Sequence, residues 1–152
     1  MKILDVLPEE ALIVDLKATD KKGVIEELAT PLAKIAGIDF EELIRLLLER
    51  ERLGSTGIGG GIGIPHGKLK NLESLVLGFG ISRMGVDFDS IDEKPVHIFF
   101  ILLTPENSTG IHLKLLARIS MLLKKDLFKQ QLMSATNHSE IIDIIKREDG
   151  EF

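Results

Sequence analysis

The chain has 152 residues, of which 44% are apolar and 28% charged, and its formal net charge is −5. A chain of this length can bury a core of its own, so a single globular domain is expected. The sequence contains no cysteine, which excludes disulfides, thiolate metal sites and cysteine nucleophiles. Tryptophan and tyrosine are also absent, and together with the acidic balance this disfavours nucleic-acid binding.

The apolar stretches of the sequence are too short to cross a membrane. The longest wholly apolar run, residues 98–103, is far below the ~20 residues that a transmembrane helix needs. The N-terminus shows no long apolar stretch followed by a small-residue cleavage site, so a signal peptide is not expected. The sequence thus predicts a cytoplasmic protein with no direct membrane insertion.

The first third of the chain predicts a short strand followed by a helix. The strand covers residues 11–16, which are mostly apolar. Thr19 or Asp20 then caps a helix whose apolar residues recur at three- and four-residue spacing until Gly37. Pro31 lies inside this pattern, and because a proline lacks the backbone N–H we expect a kink or a split there.

A second helix is predicted directly afterwards. Asp39, with Glu42 three residues later, forms a capping box that opens a helix running to about Arg52. Gly54 ends this helix. The following residues 55–67 are rich in glycine and carry isoleucines at alternating positions.

The second half of the chain predicts two strands and then helices. One strand covers residues 75–81, and another covers residues 96–103, which are apolar at nearly every position. Such a strand is buried on both faces, which implies helices above and below the sheet. An amphipathic stretch at residues 111–123, continued by residues 127–133, predicts a further helix, and residues 139–146 predict a last short one. Strands alternating with helices indicate an α/β layered fold.

Five of the seven residues from position 57 to position 63 are glycine, which costs backbone entropy and supplies no side chains for packing. A dinucleotide fingerprint fails at each possible start, because the sixth place holds Ile62, Ile64 or His66. A P-loop also fails, since Leu69 stands where a serine or threonine must follow Lys68. Neither nucleotide-binding motif is present.

His66 stands between a proline and a glycine, and it is expected at the end of a strand. Pro65 fixes its own φ and favours extended geometry just before it, while Gly67 removes side-chain bulk just after the histidine. The imidazole can therefore project from a stiff platform with open space beside it, as a nucleophile requires. Taken alone, a Pro-His-Gly tripeptide is more often an exposed turn histidine.

Arg50 falls on the apolar stripe of the second predicted helix. It either packs its stem there while the guanidinium reaches water, or directs the guanidinium to a phosphate. The rest of the alternating run at residues 49–52 is interpreted as a solvated face.

His112 lies on the apolar face of a predicted helix, in its first turn. Such a histidine is more often a core residue, but a helix N-terminus also favours anions and a neutral imidazole. His97 enters the buried strand and is interpreted as structural, and His138 precedes the last helix and is interpreted as solvated. The spacing of the histidines does not resemble a metal site.

Taken together, these motifs resemble the EIIA domains of the fructose, mannitol and nitrogen-regulatory branch of the bacterial phosphotransferase system. The resemblance covers nearly the whole chain, and the domain is expected to span residues 5–149. It is carried by four motifs: Arg50-Glu51, Leu53-Gly54-Ser55-Thr56-Gly57-Ile58-Gly59, Gly61-Ile62-Gly63-Ile64-Pro65-His66-Gly67-Lys68-Leu69 and His112-Leu113-x-x-Leu116-Ala117. The segment from Lys94 to Pro105 is also similar.

The resemblance implies a mixed β-sheet with helices on both faces and a phosphotransferase without cofactor or metal. By this resemblance His66 is the phosphorylated histidine, Arg50 a phosphoryl-binding residue and His112 the second active-site histidine. Thr56 and Gly67 are expected to help orient or bind the phosphoryl group. The family's usual alanine and its usual asparagine or histidine are replaced here by Gly63 and Gly60, which is expected to affect loop mobility and not the chemistry.

The resemblance also implies the partners. Phospho-HPr is the expected donor, and an EIIB domain the expected acceptor. Arg50, His112 and backbone N–H groups of the glycine-rich loop are expected to meet the phosphoryl charge. Two alternatives stay open: a regulatory nitrogen-type EIIA with no committed sugar, and a non-transferring effector-binding module. The end of the chain at Phe152, without a fused EIIB or membrane domain, leans slightly towards the regulatory type.

Overall fold

A computed structural model describes residues 2–107 and 109–150 of the chain. Six strands form within these residues: β1 Leu12–Ile13, β2 Gly57–Gly59, β3 Ile62–Gly63, β4 His66–Leu69, β5 Val76–Val86 and β6 Val96–Pro105. Five α-helices accompany them: α1 Lys21–Ala36, α2 Phe40–Arg52, α3 Thr109–Leu123, α4 Asp126–Ser134 and α5 His138–Asp149. Two short 3-10 helices, Ile3–Asp5 and Glu9–Ala11, precede β1.

The strands form one mixed sheet with β6 near its centre. The order is β1-β5-β6-β3-β2, and β4 also pairs with β6. The β5–β6 and β2–β3 pairs are antiparallel, whereas β1–β5, β3–β6 and β4–β6 are parallel. Successive side chains from Ile98 to Leu103 are at most 2% exposed, so both faces of β6 are covered. The predicted single-domain α/β fold with a mixed sheet is confirmed.

Helix α1 runs without interruption through the proline at which a split was expected. Asp20 caps it by accepting a 2.7 Å hydrogen bond from the Gly23 N–H, and Gly37 ends it with a φ of 67°. Pro31 removes one N–H donor, but α1 has buried residues on both sides of it, Leu28 and Leu32. This packing against the sheet compensates for the lost hydrogen bond, so of the expected kink or split the split was wrong, and the kink stays a prediction.

Several element boundaries differ from the predictions. The strand expected at residues 11–16 has only the two residues of β1, because a 3-10 helix takes up residue 11 and the backbone bends at residues 14–15. β5 and β6 extend further than predicted, and α4 is a separate helix with a break after α3. None of the helices in the described part of the chain has the length and apolar character that a membrane span requires.

The glycine-rich segment forms three short strands that the sequence pattern did not reveal. His66 begins β4, opposite Leu102 of β6, and does not end a strand as expected. The pairing starts there because the Pro65 carbonyl accepts a 2.9 Å hydrogen bond from Leu102 N–H. Helix α2, capped at Asp39, packs against β4. This packing places the C-terminal turn of α2 beside His66.

Candidate functional site

His66 is half-buried at the start of β4, and one of its ring nitrogens has a defined partner. Its Nδ1 lies 2.8 Å from the carbonyl oxygen of Ile64. A carbonyl can only accept a hydrogen bond, so Nδ1 must carry the proton. Nε2 therefore keeps its lone pair, and it has no hydrogen-bond partner in the part of the chain that the structure describes. The neutral imidazole is thus held in the Nδ1–H tautomer, with Nε2 as the nucleophilic atom.

His112 lies in the first turns of α3, with its ring edge towards His66. The two ring centroids are 5.4 Å apart, at an interplanar angle of 73°. His112 is only 5% exposed, and its Nδ1 lies 3.3 Å from the hydroxyl of Thr104 on β6. Burial lowers the pKa of His112 below its usual value of 6.5, and electrostatic repulsion of its charged form by the neighbouring His66 and Lys68 lowers it further. His112 is accordingly neutral at physiological pH.

Arg50 is half-buried in the last turn of α2. Its Nη1 donates a 2.8 Å hydrogen bond to the carbonyl of Gly54, just beyond the helix end. This bond satisfies a carbonyl after the last turn and fixes the direction of the guanidinium. Arg45 and Arg52 of the same helix are exposed, so Arg50 has the distinct position that the apolar stripe predicts.

These residues line one cleft of about 620 Å³. Its lining residues are Leu46, Glu49, Arg50, Arg52, Leu53, His66, Gly67, Lys68 and His112. Two arginines and a lysine face a single carboxylate in this set, which makes the cleft suitable for an anion. The structure therefore brings four of the predicted site residues together: His66, His112, Arg50 and Gly67.

Thr56, the fifth predicted site residue, lies beneath the cleft and not in its lining. It is 4% exposed, and its hydroxyl donates to the Glu51 carboxylate. Its carbonyl accepts a 3.0 Å hydrogen bond from Ile64 N–H. Ile64 in turn holds His66, so Thr56 can act on the site through the backbone and not by touching a ligand.

The glycines between β2 and β3 allow the backbone to turn tightly from one strand to the next. Gly59, Gly60 and Gly61 have φ values of 94°, 68° and 80°, a region that glycine adopts at little cost. The turn faces away from the cleft: Gly60 N–H donates to Asp92 over 3.1 Å, and its carbonyl accepts from Lys129 over 3.1 Å. The Gly60 N–H is therefore committed to Asp92, and the role expected of the other backbone N–H groups of residues 55–67 stays a prediction.

The two remaining histidines lie apart from the cleft. His97 is half-buried and donates from Nδ1 to the Ser82 carbonyl over 2.9 Å. His138 is the first residue of α5, with its Nδ1 3.8 Å from Glu9. Within residues 2–107 and 109–150, no group of three or more histidine, aspartate or glutamate side chains is arranged to hold a metal ion.

Sequence reasoning missed Glu51, which it assigned to a solvated face. Glu51 is 7% exposed and lies 3.0 Å from Lys21 Nζ. The alternating charges at residues 49–52 concealed the burial of Glu51. Side chains two positions apart on a helix point about 200° apart around its axis, so these four side chains face different directions although their sequence looks uniformly polar. Thr104, the partner of His112, was also missed, because nothing in the chain marks a threonine in a buried strand as a polar partner.

The whole chain is similar to one family. The family model for "Phosphoenolpyruvate-dependent sugar phosphotransferase system, EIIA 2" matches residues 5–148. A nitrogen regulatory protein of Bradyrhizobium diazoefficiens is 37% identical over 145 residues, which are 95% of this chain and 95% of that protein. The fructose-specific EIIABC component of Bacillus subtilis is 35% identical over 150 residues, 98% of this chain. This chain spans 24% of the length of that component.

Solved structures give the same result for the fold. The nitrogen regulatory protein IIA-Ntr of Neisseria meningitidis superposes with a TM-score of 0.88 at 33% identity, over 93% of this chain and 97% of that one. Mannitol IIA of Escherichia coli, solved in complex with phosphorylated IIB, gives 0.78 at 20% identity, over 91% and 95% of the two chains. The second likeness concerns the fold alone. The family match, the full-length relatives and the cleft together show that the chain belongs to the EIIA 2 family of phosphoenolpyruvate-dependent phosphotransferase components.

Proposed function

We propose that this chain is a phosphoryl carrier that accepts the group from phospho-HPr on Nε2 of His66. It then passes the group to an EIIB domain or signals through its phosphorylation state. The observation that carries the proposal is the 2.8 Å bond between His66 Nδ1 and the Ile64 carbonyl. That bond leaves the Nε2 lone pair available at a cleft of cationic character.

The transfer step follows from this tautomer. The Nε2 lone pair attacks phosphorus, the new N–P bond forms, and the N–P bond of the donor phosphohistidine breaks. The donor imidazole leaves with that electron pair. Positive charge develops on the His66 ring as Nε2 becomes substituted, and the Ile64 carbonyl stabilises it at Nδ1–H.

Arg50 and His112 are assigned to the charge on the phosphoryl oxygens. A guanidinium suits this role because its planar N–H groups can bind two oxygens at once. His112 can donate from Nε2 when its Nδ1 accepts the Thr104 hydroxyl, a tautomer that the 3.3 Å contact permits. Its lowered pKa keeps it neutral, so it can donate one hydrogen bond without adding a second cation beside His66.

The experiment is phosphoryl transfer from phosphoenolpyruvate through Enzyme I and HPr, followed by intact-mass measurement. We expect one added phosphoryl group on the wild-type chain and none on His66→Ala. His97→Ala is the matched control, because that histidine is half-buried outside the cleft and its variant should gain the group. An unchanged mass for the folded wild-type chain, with an active donor system, would reject the proposal and leave the effector-binding module.

A regulatory role is the second candidate, and the Bradyrhizobium nitrogen regulatory protein at 37% identity supports it. The fructose component at 35% supports sugar transport nearly as strongly. The two roles differ in the acceptor. Incubating the phosphorylated chain with a fructose-type EIIB distinguishes them: rapid loss of the phosphoryl group to EIIB supports transport, and a stable phosphorylated chain supports regulation.

A further inference from the structure

Glu51 is a buried carboxylate whose position the transfer step does not explain. It follows Arg50 directly in α2 and is 7% exposed. A buried carboxylate is costly unless it is paired and hydrogen-bonded. Both of its oxygens have partners: Oε1 accepts from the Thr56 N–H over 3.1 Å and lies 3.0 Å from Lys21 Nζ, while Oε2 accepts from the Thr56 hydroxyl.

Through Thr56 these bonds continue to the reactive imidazole. The Thr56 carbonyl accepts from Ile64 N–H over 3.0 Å, and the Ile64 carbonyl accepts from His66 Nδ1 over 2.8 Å. Three consecutive hydrogen-bonded links, Glu51 to Thr56, Thr56 to Ile64 and Ile64 to His66, therefore connect Glu51 to His66. The same bonded series determines both the tautomer and the orientation of the ring.

Glu51 also fixes the helix that carries Arg50. Neighbouring side chains on a helix diverge by about 100°, so Arg50 reaches the cleft while Glu51 reaches the loop beneath it. Lys21 is the first residue of α1, so its ion pair with Glu51 joins a second helix to the cluster. Its Nζ also lies 4.8 Å from the centroid of the Phe88 ring. The start of α1, the end of α2 and the glycine-rich segment thus meet at one carboxylate.

We propose that Glu51 is a positioning residue for phosphoryl transfer, an inference that rests on the proposed function. Its carboxylate, paired with Lys21, holds Thr56 and through it the Ile64 carbonyl, which keeps His66 in the Nδ1–H tautomer with Nε2 directed at the cleft. It also sets the distance between Arg50 and His66. Glu51 itself does not touch the phosphoryl group.

The test compares Glu51→Gln with the wild-type chain. The amide keeps the size of the side chain but removes the charge that pairs with Lys21 and one of the acceptor oxygens. Glu41→Gln is the matched control, because Glu41 is exposed in the first turn of the same helix. Two quantities are measured: the nitrogen-15 chemical shifts of the His66 ring, which report the tautomer, and the kcat and KM for acceptance from phospho-HPr.

In Glu51→Gln we expect a mixture of His66 tautomers and a fall in kcat of about ten- to a hundredfold, because the reacting groups lose alignment. KM for phospho-HPr should stay within about twofold, since the outer surface is unchanged. Glu41→Gln should match the wild type in both quantities. A folded Glu51→Gln chain with the wild-type tautomer and kcat, even if less stable, would overturn the proposal and leave a structural role only.

A second pair of variants covers the case in which Glu51→Gln does not fold. Thr56→Val removes the hydroxyl with little change of shape, and Thr56→Ser restores it. The proposal predicts a shifted tautomer and lowered kcat for valine, with recovery for serine, whereas equal behaviour of the two variants would overturn it. Because the nitrogen-15 measurement needs no phosphoryl transfer, it tests the positioning role even if the wild-type chain accepts no phosphoryl group.

Discussion

At the scale of single residues, the two histidines of the cleft differ in what surrounds them. His66 is half-buried and has a carbonyl as its partner, which can only accept a hydrogen bond. His112 is buried and has a hydroxyl as its partner, which can either donate or accept. The first environment dictates a single neutral tautomer, and the second leaves the imidazole able to adapt to a ligand. The different hydrogen-bond partners thus suit His66 to act as the nucleophile and His112 to act as a hydrogen-bond donor.

Replacing His112 by alanine should slow phosphoryl transfer and leave the fold intact. The reason is that the variant loses one donor to the phosphoryl oxygens, and removing such a donor typically costs about a hundredfold or more in rate. The measurement is the rate of acceptance from phospho-HPr, with circular dichroism to verify folding. Transfer at the wild-type rate would remove His112 from the site.

The lowered pKa of His112 also predicts how stability depends on pH. The unfolded chain binds this proton near the usual value of 6.5, whereas burial makes the folded chain resist it. The contribution of His112 to the free energy of unfolding is therefore complete above 6.5 and is lost as the pH falls through the lowered value.

Urea denaturation at about pH 7.5 and about pH 5.5 checks this prediction. The wild-type chain should lose more stability on acidification than His112→Gln, because glutamine does not titrate. Equal losses in the two chains would show that His112 does not contribute to the pH dependence.

The sequence predicted which residues meet in the cleft better than it predicted their polar partners. His66, His112, Arg50 and Gly67 were predicted as site residues from the family resemblance, whereas helical spacing alone placed Arg50 and His112 on apolar faces and left their roles open. Glu51 could not be predicted, because its burial depends on Lys21, which is thirty positions away in the chain. Tertiary pairing of that kind leaves no local periodic signal.

At the scale of elements, the contact between α2 and β4 depends on the absence of a side chain at Gly67. A Cβ atom built at Gly67 would overlap the side chain of Leu46 and lie 3.7 Å from Leu47. Both leucines belong to α2, so the glycine allows the helix to approach the strand that begins at His66. This approach brings the last turn of α2, which carries Arg50, to the same cleft as His66.

Gly67→Ala should lower the free energy of unfolding by about 1 kcal/mol, because the end of the half-buried Leu46 side chain must shift towards the cleft that it lines. Chemical denaturation measures the effect, and Gly110→Ala is the control, since a Cβ there meets open space. Adding Leu46→Ala should reduce the cost of alanine at position 67. If that cost stays the same in the Leu46→Ala background, the overlap is not its cause.

The long elements were predictable and the short strands were not. α1 and α2 have capping residues and apolar periodicity, and β6 is continuously apolar, so each is determined by its own sequence. β2, β3 and β4 have two to four residues and are rich in glycine. They become strands only because β6 supplies hydrogen-bond partners for β3 and β4, and β3 in turn pairs with β2.

At the scale of the whole molecule, Asp149 joins three distant segments of the chain. It is 1% exposed and accepts a 2.6 Å hydrogen bond from the Ile3 N–H. It also forms an ion pair with Arg118 of α3. The N-terminal turn, α3 and the end of α5 are thus connected at one buried carboxylate, on elements other than those that meet at Glu51.

Asp149→Ala should lower the free energy of unfolding by roughly 2–4 kcal/mol, because it leaves a buried N–H and a partly buried arginine without this partner. Thermal or urea unfolding measures the loss, and Asp143→Ala, at an exposed position of the same helix, should cost little. Phosphoryl acceptance by the folded variant should be unaffected. A stability close to that of the wild type would mean that Asp149 does not hold these segments together.

The measurement that tests the central claim most directly is nuclear magnetic resonance of the chain phosphorylated through HPr, with nitrogen-15 in the histidine rings. Coupling between phosphorus and a ring nitrogen identifies both the residue and the atom that carry the phosphoryl group. The hydrogen bond from His66 Nδ1 to Ile64 predicts coupling to Nε2 of His66. Coupling to Nδ1 of His66, or to a nitrogen of another histidine, would contradict it.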